Sequence, residues 1–513
     1  MPDVIIIGGG VAGLTAAIHL AERELQPLLL EANPDWIGGR LRDGPPTQFE
    51  HGGRRWSFPS EHGVHGIWSP YLNLKAMLER HRIMPALRAS REETWIFGRG
   101  TKVRIAPIGS AIRGSPIPAP FHYLYCFLRP SFLNVLTVRD LASLFRVVGG
   151  LFGAMAIDPL AEHKALTGMS LDDYMRGWSP TLRSLFVGLM RNGLSAHPEE
   201  VPVSGFLAFL RFYTLMRRDS WVFDYLSGPG GTCIAAPLAE TACRLGAEIR
   251  MGARVTDLSR MGDRWHVTYA DHATGATCTV GADQAIVALD APAAQKLLAS
   301  SAATADRAAR LRFPNGVPTA IIRIWFARHP QPIAESGIYS GDFVMDNFFW
   351  LDQLQDAYRE WSAATGGSAL EMHIYGQPET LNQPDAVLLA LVLTDTYRAF
   401  PELRGQVLNM ALLRNGATHT LFRIGEPDEH LGVGTPWPSL FACGDWVYHP
   451  APALYLERAT VTGIAAANAA LDGRGMEPWP LLAYPRPEWF AGLLAGMLRQ
   501  VRYALLRRKR ARM

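Results

Sequence analysis

The sequence predicts an α/β fold in which a parallel sheet with flanking helices is joined to a second, α+β domain. Three observations carry this. The chain has 513 residues, room for two or three structural units at ~100–200 residues each. Its N-terminus reads strand, glycine-rich turn, helix, strand, the unit from which parallel sheets are built. Strand-and-turn segments return near 225–300 and 430–475, separated by long apolar and aromatic stretches that suit a second domain.

Composition sets the outer limits. Hydrophobic residues make up 48% and charged residues 19%, the latter below the ~25% usual for soluble domains. Disorder is excluded, and large apolar surfaces are implied. The five cysteines (Cys126, Cys233, Cys243, Cys278, Cys443) are scattered, without any Cys-x-x-Cys pair. That argues against a disulfide framework, a zinc site or an iron–sulfur cluster, and no metal is expected. The longest uncharged run, Val4 to Ala21, lacks a basic start and is broken by Gly8, Gly9 and Gly10. No other stretch reaches ~18 uncharged residues. A cytoplasmic protein without a transmembrane helix is expected.

The first element is the β-branched run through Ile7, continuous in the way of a strand buried on both faces. It enters Gly8-Gly-Gly10-Val11-Ala12-Gly13, a G-x-G-x-x-G turn. Helical spacing follows from Leu14 to Glu24, then a strand from Pro27 that ends in Glu31, eighteen residues after Gly13. Gly8 permits the turn, Gly10 lets backbone approach a pyrophosphate, and Gly13 allows close helix–strand packing. The helix start offers free N–H groups, and Glu31 suits ribose hydroxyls. This is a Rossmann-like dinucleotide site, on spacing alone open to NAD or FAD.

The residues that follow decide between them by resemblance. Ala32 through Gly38-Gly39-Arg40 resembles the second glycine signature of the FAD-dependent amine oxidase and phytoene desaturase superfamily. There the glycines wrap the pyrophosphate, and Arg40 would supply charge against phosphate. The strand from Leu440 into Gly444-Asp445, and the helix expected from Glu457 through Ala459 to Leu471, resemble the family's C-terminal flavin motif. Arg458 and Thr462 stand where many relatives carry glycine and serine. A third piece has Gly228-Pro-Gly-Gly231, a helix from about Ile234 to Leu245, and strands near Val255, Trp265–Tyr269 and Gln284–Leu289. In the family the backbone at Val255 touches adenine. The resemblance implies FAD, a flavin domain of residues 1–75, 225–300 and 430–475, and a substrate domain of 76–224 and 301–429 with a mixed sheet and apolar helices.

Within the superfamily the substrate segments discriminate. Phe121–Leu128, Val147–Ile157 and Gly205–Met216 are apolar and aromatic, as an ordinary core or a lipid tunnel would be. The expected strand Pro318–Phe326 carries no lysine, whereas amine oxidases of the superfamily commonly place one on such a strand. Glu61-His62-Gly-Val-His65-Gly, with the Tyr71, Asn73 and Leu74 that follow, resembles the carotene desaturases, especially the isorenieratene synthase-like branch, as does Glu371–Tyr375. The cysteines leave out the Rieske domain of some relatives. The resemblance implies desaturation or isomerisation of a carotenoid or other isoprenoid, by hydride transfer to flavin N5. Oxygen or a quinone would be the acceptor, since no second G-x-G-x-x-G is present. An amine or amino-acid oxidase, a squalene-derivative oxidoreductase and a lipid-sequestering flavoprotein remain alternatives. His62 and His65 are the candidate proton acceptors, and His51, Glu61 and Tyr71 are weaker ones.

The last element is a prolyl linker (Pro478, Pro480, Pro485, Pro487) and a helix from Trp489 to Leu506, with residues 476–513 expected to stand apart from both domains. Trp489, Leu493, Met497, Val501 and Leu505 recur every four residues. Residues 499–513 hold seven Arg or Lys and no acid, so the net charge of +3 leaves the rest of the chain at −4. A basic amphipathic helix reads as a peripheral membrane-surface anchor, or as a helix docked on the body. No recognition motif or basic stripe points to nucleic acid.

Overall fold

The computed structural model describes residues 1–331, 334–422 and 430–510. Strand Val4–Ile7 is fully buried at the centre of a five-stranded parallel sheet. Pro27–Leu30 and Gln284–Val287 flank it, with Ile5 opposite Leu28 on one side and Ala285 on the other. Glu248–Arg250 and Leu440–Ala442 form the edges. The three separated stretches therefore meet in one sheet. A three-stranded antiparallel sheet, Ala253–Met261, Arg264–Asp271 and Thr277–Ala282, stands beside it.

Helix Val11–Ala21 starts three residues earlier than the periodicity predicts, because extended Gly10 (φ −74°, ψ 175°) is its N-cap. It ends short of Glu24, whose φ of 64° is left-handed and incompatible with a helix. Helix Tyr455–Asp472 packs along it. The two backbones approach so closely that a Cβ at Gly463 would lie 2.5 Å from the Ala12 carbonyl oxygen.

The second domain is built on a seven-stranded mixed sheet. Its order is Val407–Thr420, Gly316–Phe326, Ser368–Tyr375, Asn347–Trp350, Ser336–Gly341, Glu93–Arg99 and Lys102–Pro107. Every pair is antiparallel except Ser336–Gly341 with Glu93–Arg99. Helix Pro180–Leu194 packs on the Ser336–Gly341 strand, and helices Val138–Ala156 and Val203–Leu210 pack on that helix. The mixed sheet with apolar helices is what the sequence predicts.

Two boundaries differ from expectation. The hairpin Asp43–His51 and Arg54–Glu61 belongs by sequence to the flavin stretch but lies on the second domain. Its aromatic face seeks an aromatic floor: Phe58 stacks on Tyr358 at 4.5 Å between ring centres, and Phe49 meets Trp325 edge-on at 5.4 Å. The prolyl segment 476–488 is a strap rather than a free linker. Trp479 donates its indole N–H to His19 O (2.9 Å) and lies under Arg23 and Arg80, 4.3 and 4.8 Å from its ring.

The C-terminal helix Trp489–Arg510 continues one turn past its predicted end and lies against Val138–Ala156. Ala491 and Ala495 are buried in that contact, Phe490 meets Phe121, and Arg502 pairs with Glu162. The opposite row, Trp489, Leu493, Met497, Val501 and Leu505, is exposed, as are Arg507 and Arg508. The Lys509 and Arg510 side chains and residues 511–513, also part of the expected basic end, lie outside the described residues. Among the described residues no helix is long and apolar enough to cross a membrane.

Candidate active site

The nucleotide end is assembled by short-range geometry. Gly8 has φ +110°, and a Cβ there would sit 2.6 Å from the Ala288 carbonyl oxygen; one at Gly13 would lie 2.1 Å from Gly8 O. Both positions therefore exclude a side chain. The space over Gly10 is open, with nothing within 4 Å of a would-be Cβ. There the N–H groups at Val11 and Ala12 begin a helix that no side chain caps. Glu31 accepts hydrogen bonds from Gly9 N–H (2.7 Å) and Asn33 N–H (2.8 Å), which aims its carboxylate over the turn next to Ala32. Its backbone bonds to Arg250 and Ala253, bringing the strand that carries Val255 alongside.

Gly38 bridges Gly10, and its N–H donates to Gly9 O (2.9 Å), so the Gly38-Gly39-Arg40 turn closes over the first glycine loop. Arg40 reaches Asp445, 405 positions further along the chain, at 2.6 Å. Burial by itself would raise the Asp445 carboxyl, but Arg40 outweighs it and holds the group below the usual carboxylate range. Gly444 N–H donates to the Thr462 hydroxyl (3.0 Å), tying the loop to helix Tyr455–Asp472 near Ala459. The departures at Arg458 and Thr462 thus have jobs: Arg458 is buried and donates to the carbonyls of Val447, His449 and Ala451, at 2.7–3.1 Å. Burial lowers its pKa to about 10.

The Glu457 side chain, expected at the cofactor, is engaged elsewhere. Its carboxylate accepts from the backbone N–H groups of Asn73 (2.9 Å) and Leu74 (3.0 Å), the Asn73 amide and the Tyr484 hydroxyl. It satisfies the orphan donors that begin helix Leu72–Arg80, so its side chain is committed to structure rather than to a cofactor.

Beyond the Arg40–Asp445 pair stands a cluster of imidazoles. His62 and His65 lie between strands Arg54–Glu61 and Gly66–Trp68. His62 stacks at 6.1 Å on His419, and His419 lies 6.3 Å from Tyr375 and 6.2 Å from Tyr455. Burial drives the His62 imidazole well below its ordinary pKa, with His419 and Arg40 adding to the effect. Burial likewise lowers His65 to about 4 against the pull of Glu371, and His419 to about 3 with help from Arg40. All three are neutral at pH 7. His62 Nε2, His65 Nδ1, His419 Nδ1 and the Tyr455 hydroxyl are buried without a protein partner. Buried polar atoms ordinarily find partners, so these four fit a polar ring system such as an isoalloxazine, next to the Arg40–Asp445 pair. The open cradle over Gly10 fits the pyrophosphate.

Beneath them Arg323 donates to Glu371 (2.6 Å), contacts Glu61 (3.3 Å) and bonds the Tyr358 hydroxyl (2.9 Å). Glu61 is pushed up to about 7 by burial despite Arg323, whereas Arg323 and His373 hold Glu371 at about 2 against burial. Glu61 is thus a partner of Arg323, Tyr71 is buried against Tyr213 at 3.3 Å, and His51 lies at the far end of the hairpin. None of these three lies in the imidazole cluster. Arg323, His373, His419 and Tyr455 escaped the sequence reading. An isolated arginine inside the apolar strand Gly316–Phe326 was the available signal for the first.

A dinucleotide cradle tied through Arg40 and Asp445 to a cluster of buried imidazoles with unpartnered ring nitrogens fits a flavin-type oxidoreductase. Residues 11–471 match the flavin containing amine oxidoreductase family, and the chain belongs to it. It is an FAD-dependent oxidoreductase, and the resemblance to carotene desaturases holds. It is 28% identical to a carotenoid phi-ring synthase of Streptomyces griseus, over 94% of this chain and 90% of that protein. It is 24% identical to the carotenoid phi-ring synthase of Chlorobaculum tepidum, over 95% and 91%. The cyclohexylamine oxidase of Brevibacterium oxydans shares the fold, with a TM-score of 0.62 at 16% identity over 92% of this chain and 99% of that one.

Proposed function

We propose that the protein desaturates a carotenoid, or a closely related isoprenoid, at a membrane surface. The observation that carries this reading is the near end-to-end likeness to two carotenoid ring synthases. The lysine-free strand Gly316–Phe326 supports it against an amine substrate. Bound FAD supplies hydride acceptance at N5, with oxygen or a quinone as final acceptor. Gly8, Gly10, Gly13, Gly38, Gly39 and the N–H groups at Val11 and Ala12 hold the pyrophosphate. Glu31 and Ala32 hold the ribose, Val255 the adenine, and Arg40, Gly444, Asp445 and Ala459 the approach to the ring. The neutral His62 and His65 line the approach to the ring and exclude water, and the proton lost beside the hydride-donating carbon needs an acceptor next to them.

Membrane attachment is supported by two helices packed side by side that both present apolar rows outward. Val138, Leu141 and Phe145 are exposed on one, and Trp489, Leu493, Met497, Val501 and Leu505 on the other. Arg507 and Arg508 stand at the end of that surface. The substrate test is anaerobic mixing of the holoenzyme with carotenoids, squalene derivatives and amines. Carotenoids are expected to bleach the flavin, and bleaching by amines alone would sink the reading.

A further inference from the structure

Strand Ser368–Tyr375 is buried along its whole length. Alternation sends Leu370, Met372 and Ile374 to one face, into an apolar core. Glu371, His373 and Tyr375 stand on the other, and their polar ends meet in series. The Tyr375 hydroxyl lies 2.6 Å from His373 Nδ1, and His373 Nε2 lies 2.7 Å from Glu371 Oε1. Glu371 Oε2 accepts the Nε–H of Arg323 at 2.6 Å, and Oε1 also accepts Val64 N–H at 2.8 Å. An ionised carboxylate only accepts, so the His373 proton is on Nε2 and Nδ1 is left to accept from Tyr375. Asn347 Nδ2 donates to the Tyr375 oxygen from the other side, at 3.1 Å, and fixes the phenol.

Such an arrangement is expensive for a strand that needs only to fold, because buried charged networks are often no better than apolar packing. Its Tyr375 end lies toward the imidazole cluster. Tyr375 lies against His419, which stacks on His62, and a Cβ at Gly63 would meet the His373 ring at 2.8 Å, so the His62–His65 loop rests directly on the series.

We infer that Glu371, His373 and Tyr375 form a built-in proton relay whose terminal group, the Tyr375 oxygen, exchanges protons with the substrate. Arg323 and Asn347 are positioning residues. The inference rests on the proposed desaturation. A C–H bond of the substrate breaks, and its electron pair becomes the new C=C as hydride leaves the adjacent carbon for the flavin. The proton passes to the Tyr375 oxygen while the tyrosine's own proton moves to His373 Nδ1. His373 becomes imidazolium against the Glu371 carboxylate, and Tyr375 ends unchanged. Oxygen or a quinone takes the two electrons, and the proton returns to solvent. Charge is moved without leaving a tyrosinate in the cleft. The triad logic is that of base oriented by a carboxylate.

The test joins two measurements on the holoenzyme. Nitrogen-15 NMR of histidine-labelled wild-type protein reads the His373 tautomer without turnover, and Nε2–H with an accepting Nδ1 is expected. Anaerobic flavin bleaching by a carotenoid is then compared between wild type and Tyr375→Phe. The limiting rate should fall about 100-fold, with the half-saturating substrate concentration and the flavin content unchanged. An Nδ1–H tautomer in the wild type overturns the relay whether or not the variant folds. So does an unslowed Tyr375→Phe. If carotenoids fail to bleach even the wild type, the proposed substrate falls instead, and the tautomer alone decides the relay.

Discussion

The residue with most leverage is Arg40, a part-exposed side chain whose partner Asp445 is buried. Arg40→Ala leaves an uncompensated buried carboxylate, a loss of about 3–5 kcal/mol when a buried pair is broken. Purified Arg40→Ala is expected to retain little FAD, read from the ratio of flavin to protein absorbance. Glu457 separates from it cleanly. Glu457→Ala strips two backbone donors of their acceptor at the start of helix Leu72–Arg80, at about 1–3 kcal/mol for each buried group left unsatisfied. Its melting temperature should drop while the refolded protein still binds FAD; loss of FAD without loss of stability would return Glu457 to the cofactor. The histidines set a pH dependence. His65 and His449 are lowered to about 4 and His19 and His419 to about 3, all chiefly by burial, from an ordinary 6.5. Between those values the unfolded chain takes up protons that the folded one refuses. Stability is therefore full above pH 6.5 and lost as pH falls toward 4, by up to about 1.4 kcal/mol per unit for each group. Thermal melts across that range should show the decline, and His65→Asn should make it shallower.

At the scale of elements, the strap 476–488 ties the flavin domain's outer face together through Trp479. Trp479→Ala removes the indole bond to His19 and both guanidinium contacts, and should cost about 2 kcal/mol in urea unfolding, since the ring is half-buried. Local elements were legible because their causes are local: β-branched runs make buried strands, and glycine makes the turns at Gly8 and Gly38. The helices at Val11 and Tyr455 needed only their ends adjusted. What joins distant elements was not legible. The pairing of Ile321 with His373 brings strand Gly316–Phe326 against Ser368–Tyr375. That register alone lets Arg323 find Glu371, and nothing within either segment announces it. The relay did leave one local trace, polar residues at every second position of a strand whose other positions are apolar. The hairpin Asp43–Glu61 shows the converse error, since chain proximity to the first glycine loop says nothing of which domain will bury its aromatic face.

For the whole molecule, the docked C-terminal helix changes how membrane attachment must be tested. Removing it would uncover the surface that buries Ala491 and Ala495, so truncation mixes lost binding with lost stability. Leu493→Glu with Met497→Glu and Val501→Glu alters only the exposed row. The triple variant is expected to keep the wild-type melting temperature and lose sedimentation with anionic liposomes; undiminished sedimentation would refute the anchor. The parallel sheet has a consequence in time as well as in space. Its edge strand Leu440–Ala442 joins Gln284–Val287 from more than 150 positions later in the chain, and helix Tyr455–Asp472 must then close against Val11–Ala21. At ~5–20 residues per second of synthesis, the ribosome needs roughly ten to thirty seconds to bridge that gap. For that interval a nascent chain holds the glycine loop but not Asp445, and an apolar sheet edge waits unpaired. Cofactor capture is thus a late event in the protein's biogenesis, and chaperone occupancy of the half-made sheet should peak before residue 440 emerges.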